Sequence, residues 1–194
     1  MVRRRRMTRS FLSEPIAPEV VEELIDLARR SPSAGNASAL EWLILHDAAA
    51  VAAYWDTTLP PERRGGFAWP GLLNAPVIVI PWVNPQIYLE RYREADKAHT
   101  HLGESLDAWD VPYWFIDGGA AVQTLLLAAE DMGLGALFFG VFDHEPKVRE
   151  VFGVPPRWRA LGAVALGQRA DDRPAQSQLR RRRRIGEVVH RNKW

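Results

Sequence analysis

The spacing of apolar positions along the chain lays out its elements before any chemistry is considered. Val20, Leu24, Leu27, Ala28 and Ser31 recur at helical spacing and predict a helix over 18–30. Pro18 suits its first position, Glu19, Glu22 and Glu23 suit its positive end, and Pro32 stops it. The small residues Ser31 to Asn36 then make a turn. Trp42 to His46 is short and apolar and predicts a strand, after which Asp47 caps a helix running through Ala50 to about Trp55. Prolines and glycines make 57–71 a loop. Pro76 to Ile80, β-branched after its proline, predicts the clearest buried strand. Asn84-Pro85 opens a helix to about Glu94, and residues 95–111, with no clean period, read as a loop placed to act as a mobile cover.

The longest helical stretch is 113–132, with Gly133 as its stop. Its body, Ala120 to Ala129, is apolar almost all round, so it must be buried on every side, in the core or across a subunit interface. Strands are predicted over 136–142 and 159–167, with a short helix over 145–152 between them. That order places helices on a sheet of about four strands in one α/β or α+β domain.

Composition narrows the class. A 194-residue chain that is 47% hydrophobic suits one domain with a sizeable core. No stretch approaches the length needed to span a bilayer, and no apolar run follows the basic start as in a secretory signal. The absence of cysteine removes disulfides, thiolate metal sites and a cysteine nucleophile, and fits a reducing cytoplasm.

The net charge of +1 conceals an asymmetry. Twelve of the 25 basic residues lie at 3–9 and 180–194, while 23 of the 24 acids lie between, so the body carries about −10. Positive ends on an acidic body call for an anion, or for docking onto a second acidic body. Arg5-Arg6-Met7-Thr8-Arg9 presents guanidinium forks that match phosphate oxygens, although a basic terminus alone also describes a solvated arm. Pro32-Ser33-Ala34-Gly35-Asn36 lets a flat ligand approach the backbone, although alone it also describes an ordinary interhelical loop. Gly133 to Gly140 is not the dinucleotide-binding glycine fingerprint, because here the glycines follow a helix and open a strand. Arg180 to Arg184 is the last candidate, for a phosphate or, alternatively, for nucleic acid. Asp96, His99, His101 and Glu104 lack metal-ligand spacing, so no metal is expected.

Each signal is weak alone, but their order is specific. The arm 5–11, a helix, then Pro32 to Asn36 and a strand resembles the start of the nitroreductase-type flavoproteins. Asp117, Gln123, Leu126, Ala128 and Ala129 leading into Gly133-Leu134-Gly135 resemble that family's central helix and turn. Ala163 to Gly167, the arginine run and Glu187 to His190 resemble its C-terminus.

The resemblance implies a single nitroreductase-like α+β domain over 1–194, with a basic arm (1–9) and a basic tail (174–194). It further implies a central sheet of about four to five strands flanked by helices, an intertwined homodimer, and one flavin mononucleotide (FMN) per site at the interface. By position, Arg5, Arg9, Arg180 and Arg182 take the phosphate and ribityl contacts, with Arg6 and Met7 in the same cofactor-binding segment. Residues 32–36 reach the ring from the partner, and Phe138, Phe139 and Gly140 form the segment facing the flavin's reactive nitrogen. Phe67, Trp69, Tyr113 and Trp114 are the aromatic candidates for an acceptor pocket. The implied chemistry is hydride transfer from NAD(P)H to the flavin and onward to a small acceptor such as a nitroaromatic or quinone, with no catalytic side chain required. Flavin fragmentation, reductive dehalogenation and passive flavin binding are alternatives, and nucleic-acid binding by the basic ends is a further one that the acidic body opposes. Met7 in place of a hydroxyl residue, Ser38-Ala39-Leu40 in place of a Gln-Pro-Trp-like run, and Ala68 and Gly71 in place of Asn and Lys depart from the family pattern.

Overall fold

In the computed structural model, which describes residues 1–173 and 180–194, the chain forms three layers around one sheet. Residues 174–179 of the expected basic tail lie outside the described residues. The sheet centres on β2 (Val77–Val83), every residue of which is buried. It pairs antiparallel with β1 (Leu40–Leu45) on one side and β5 (Ala163–Gly167) on the other, and β5 pairs antiparallel with β3 (Gly135–Phe139). The two-residue strand β4 (Arg159–Ala160) continues alongside β2. Alternation along β2 divides the core: Val77 and Val79 face one layer, and Ile78, Ile80 and Trp82 the other.

On the valine face lie α1 (Pro18–Ala28) and α5 (Tyr113–Asp131). On the isoleucine face lie α2 (Ala48–Thr58), capped by the Asp47 carboxylate on the Ala50 N–H at 2.8 Å, and α6 (Glu145–Val151). A single turn of helix, α3 (Pro61–Arg64), lies in the expected loop, and α4 (Pro85–Tyr92) is capped by buried Asn84. Gly133, at φ +79°, ends α5 where its position predicts. Leu125 is fully buried on the core side of α5, and Leu125→Ala should lower unfolding free energy by about 2–5 kcal/mol, read from urea denaturation.

Three expectations are corrected. The strand predicted over 136–142 stops at Phe139, because the chain turns at Phe142, at φ +50°, whose ring fills the space beside Gly140. The strand predicted over 159–167 breaks into β4 and β5 at Gly162, at φ +146°, where a β-carbon would meet the Phe138 ring and the Phe139 carbonyl at 2.6 Å. Residues 95–111 are not a free-standing cover. Trp109, 8% exposed, packs with Tyr88 and Trp114 into a third small core, and its indole N–H donates to the Leu102 carbonyl at 2.8 Å.

Candidate functional site

The basic arm is an ordered part of the fold. Met7 bridges Ala136 on β3, and the Thr8 N–H donates to the Ala136 carbonyl at 2.9 Å. Phe11 is fully buried, its N–H donating to the Gly71 carbonyl at 3.0 Å. Gly71 is required there: a β-carbon would lie 2.4 Å from Ser10 Oγ. That close approach accounts for a glycine where a longer side chain was expected. Met7 packs against both main cores, so its side chain is committed to packing, which accounts for the missing hydroxyl.

The arginines of the arm differ sharply. Arg3, Arg4 and Arg6 are exposed, whereas Arg5 is half-buried and its Nη1 is sealed from solvent with no hydrogen-bond partner among the described residues. Such a donor costs about 1–3 kcal/mol unless something supplies an acceptor. Arg9 borders a groove of about 510 Å³ with Ser10, Phe67, Trp69, Gly71 and Arg173. The Arg9 and Arg173 guanidinium groups lie 5.2 and 4.5 Å from the centre of the Trp69 ring, and Arg173 also donates to the Ala68 carbonyl. The groove adjoins a smaller hollow of about 240 Å³ lined by Arg6, Met7 and Thr8, the two sharing Asp171, Asp172 and Arg173. The arm thus lays cationic groups along one continuous concavity.

The turn at 32–36 is a second preformed structure. Gly35, Asn36 and Ser38 take φ of +62°, +55° and +50°. Left-handed conformations at non-glycine residues cost about 1–3 kcal/mol each and persist only where the surroundings over-determine them. Here they do. The Ala34 N–H donates to Asp117 Oδ2 at 2.7 Å, and the Tyr88 hydroxyl donates to the same oxygen at 2.7 Å. Arg91 Nε donates to the Gly35 carbonyl at 2.7 Å while its two terminal nitrogens chelate Asp96 at 2.7 and 2.8 Å. The Ser38 N–H donates to Ser33 Oγ at 3.2 Å, and a β-carbon on Gly35 would lie 2.9 Å from the Tyr92 ring. The exposed Asn36 side chain makes no hydrogen bond among the described residues.

Two electrostatic consequences follow. Burial, reinforced by the Asp117 carboxylate, pushes the Tyr88 phenol well above the ordinary tyrosine range, so it remains a donor at all working pH. Hydrogen bonds from Arg91 hold the Asp96 carboxyl down at about 2. A depressed acid contributes its interaction fully above its ordinary value near 3.8 and loses it only as pH falls through about 2. The Arg91 clamp is therefore not a switch near neutrality.

The remaining expected site residues are distributed. Phe139 is half-buried and stacks on Trp55, ring centres 5.9 Å apart and planes 7° from parallel. Phe138 is also half-buried, while Gly140 is exposed under the Phe142 ring. Phe67 and Trp69 line the arginine groove. Trp114, 7% exposed and set edge-on to Tyr88 and Trp109, is a core ring, and Tyr113 beside it is exposed. Arg180 and Arg182 are exposed, and Arg181, Arg183 and Arg184 hydrogen-bond to Glu187 within the tail. Among the described residues, no hydrogen bond joins this tail to Arg5 or Arg9.

Sequence reasoning missed the roles of Asp117, Arg91 and Arg173. Asp117 was singled out only as part of the central-helix resemblance, although it is also the lone charge between Tyr113 and Ala129.

Comparison with known proteins bears on the whole arrangement. The model of the nitroreductase family matches residues 2–168. An Archaeoglobus fulgidus protein described as an NADH dehydrogenase/NAD(P)H nitroreductase is 25% identical, the match covering all of this chain and 97% of that protein. The NADH dehydrogenase of Thermus thermophilus is 28% identical over 87% of this chain and 85% of its own length. Among solved structures, a nitroreductase family protein from Streptococcus pneumoniae superposes with a TM-score of 0.74 at 18% identity, covering 97% of this chain and 96% of that one. A Desulfovibrio desulfuricans nitroreductase in complex with FMN superposes at 0.70 and 19% identity, covering all of this chain and 95% of that one. The arm, the turn and the layered sheet occur together because the chain belongs to the nitroreductase family.

Proposed function

We propose that this chain is an FMN-dependent oxidoreductase that takes hydride from NAD(P)H and passes it to a small acceptor, such as a nitroaromatic or quinone. The observation that carries the reading is the buried, unpartnered Nη1 of Arg5 on an arm that continues into the groove bordered by Arg9 and Trp69. The residues present fit the cofactor: cationic donors for a phosphate, apolar walls for a flat ring, and a preformed turn with an uncommitted amide. FMN, when bound, supplies a ring that accepts and returns a hydride. The protein's part is to bind, orient and shield. Arg5, Arg9 and, from the tail, Arg180 and Arg182 neutralise phosphate charge. Phe67 and Trp69 wall the groove and restrict water. The Asn36 amide of the 32–36 turn fixes the ring from a second subunit, and the 138–140 backbone supplies the reactive-nitrogen contact.

Support for this assignment comes from the relatives, which include an NAD(P)H-dependent FMN reductase of Bacillus subtilis at 26% identity. Support for a homodimer comes from the exposed apolar side of α5, and from the principal hollows of the described residues, none of which is lined by both the 32–36 turn and the Arg9 groove. No described helix is long and apolar enough to cross a membrane, and a reducing cytoplasm would supply the nicotinamide.

The deciding experiment is the visible spectrum of the purified protein with added FMN. A yellow protein bleached anaerobically by NADH or NADPH is expected. A colourless protein that takes up no FMN would overturn the reading, and a yellow protein inert to both nicotinamides would reduce it to flavin binding.

A further inference from the structure

Three features invite a function beyond the groove: the 400 Å³ hollow between α2 and the segment 73–76, the aromatic recess around Trp82 and Trp158, and the network beneath the 32–36 turn. The first is walled by Trp55 and the second by Trp42 and Trp82, whose indole N–H groups are buried without a partner among the described residues. The third is a complete mechanical device, and it rests on the flavin reading above.

From this network we infer that Asp117 and Arg91 are positioning residues that hold the 32–36 turn in its flavin-contacting shape. The two grip adjacent residues from different elements. Asp117, on α5, takes the Ala34 N–H, and Arg91, on α4, gives a hydrogen bond to the Gly35 carbonyl. Those peptides bracket the point where the backbone enters the left-handed region, at Gly35 and Asn36. Without the two grips, the hydrogen bonds left to oppose relaxation to ordinary backbone angles, among the described residues, are the Asn36 N–H to the Ser33 carbonyl (2.9 Å), the Ala37 N–H to the Ala34 carbonyl (3.2 Å) and the Ser38 N–H to Ser33 Oγ, besides the packing of Ala34 and Ala37 on the third core. Relaxation would turn the Asn36 side chain and the neighbouring N–H groups away from the ring.

Each grip is itself held. Tyr88, fully buried, donates to the same Asp117 oxygen that Ala34 uses, fixing which oxygen faces the turn. Asp96 and Glu94 occupy both terminal nitrogens of Arg91, leaving only Nε for the carbonyl. The loop that sequence suggested as a cover thus supplies, through Asp96, the anchor for a turn some 60 residues earlier in the chain.

The geometry makes a distinctive prediction about substitutions. Both donors on Asp117 meet one oxygen, so the carbonyl of asparagine can serve both, and charge is not needed. Asp117→Leu removes both hydrogen bonds at similar size, and Arg91→Met removes the grip on Gly35 from the other side. The turn serves the flavin ring and not the phosphate. FMN and riboflavin should therefore weaken by the same factor, about 10–100-fold, whereas loss of an arm arginine should weaken FMN alone.

The test titrates the purified full-length protein and its variants with FMN and with riboflavin by flavin fluorescence, checking circular dichroism and oligomeric state throughout. Expected are equal losses for both flavins in Asp117→Leu and Arg91→Met, and affinities within about 3-fold of the parent in Asp117→Asn. Arg91, at the surface, carries the test if Asp117→Leu fails to fold. Unchanged affinity for both flavins in the folded variants would overturn the inference, as would Asp117→Asn failing as badly as Asp117→Leu. A parent protein that binds neither flavin would instead overturn the flavin reading itself, so the two failures are separable.

Discussion

Replacing Arg5 and Arg9 together by alanine should cost this protein most of its affinity for FMN while leaving the unloaded fold as stable as before, or more so. Each charge-assisted contact to a phosphate is worth about 1.5–3 kcal/mol, which is roughly 10–150-fold in affinity. For the pair, a loss of about 10²–10⁴-fold is expected, since neighbouring contributions do not add fully. The stability half of the prediction comes from the unpartnered Nη1 of Arg5. A buried donor with nothing to bond destabilises the empty protein, and removing it relieves that cost. Affinity and apo stability should therefore move in opposite directions, a signature that simple unfolding does not produce. Thermal melts without flavin and fluorescence titrations with FMN read the two halves. Arg3→Ala with Arg4→Ala is the control, since both side chains are exposed and the nearest acid to Arg4, Glu130, is 4.0 Å away. Losses equal to the control would show the phosphate lies elsewhere. Arg182→Ala tests separately whether the tail joins the same site.

Local pattern carried a good part of the fold into view. The strand at 76–80 is legible because β-branched residues without interruption suit a strand covered on both faces, and β2 is buried throughout. The ends of α2 and α5 are legible because Asp47 and Gly133 satisfy terminal backbone groups with their own side chain or conformation. What escaped were features set by distant neighbours. Nothing near Gly162 or Phe142 signals that one breaks a strand and the other ends one; the first depends on the backbone of 138–139 and the second on where its ring settles. The site divides the same way. The arm and the turn are contiguous motifs, so their residue types and order identify them. The bonds that shape the turn join Ala34 to Asp117, 83 residues away, and Gly35 to Arg91, 56 residues away. Such pairs have no local signature, and Asp117 stood out only as a residue of the central-helix resemblance, with no partner indicated. Trp114, offered to the pocket by composition, is buried in the third core and also walls a hollow with Pro32, Ser33 and Ser38.

The largest expected effect on assembly is at the open side of α5. That helix is apolar nearly all round, yet only one side packs on α1 and the sheet. On the other, Phe115 and Ile116 are 43% and 49% exposed in the single chain, and Gly119 has open space where a side chain would stand. Ile116, Gly119, Ala120 and Leu127, with the polar Gln123 among them, follow at helical spacing, making a largely small and apolar stripe suited to a second copy of the helix. Ile116→Glu combined with Gly119→Arg should convert an assembly of twice 21.9 kDa into a folded monomer. In a two-fold symmetric interface every substitution counts twice. Ile116 is about half exposed in the single chain, so losing its remaining burial in both subunits removes about 1.5–3 kcal/mol, or roughly 10–150-fold in the dimer constant. Charges forced into the contact add to that loss. Because the 32–36 turn reaches the flavin from the partner in this scheme, the monomer should also release FMN, and flavin occupancy of the parent should rise with protein concentration. Light scattering and flavin absorbance on the same samples check both. A monomer that keeps full FMN affinity would show that each site is complete within one chain. A variant that stays dimeric would place the interface on another face. Either result would relocate the turn's role.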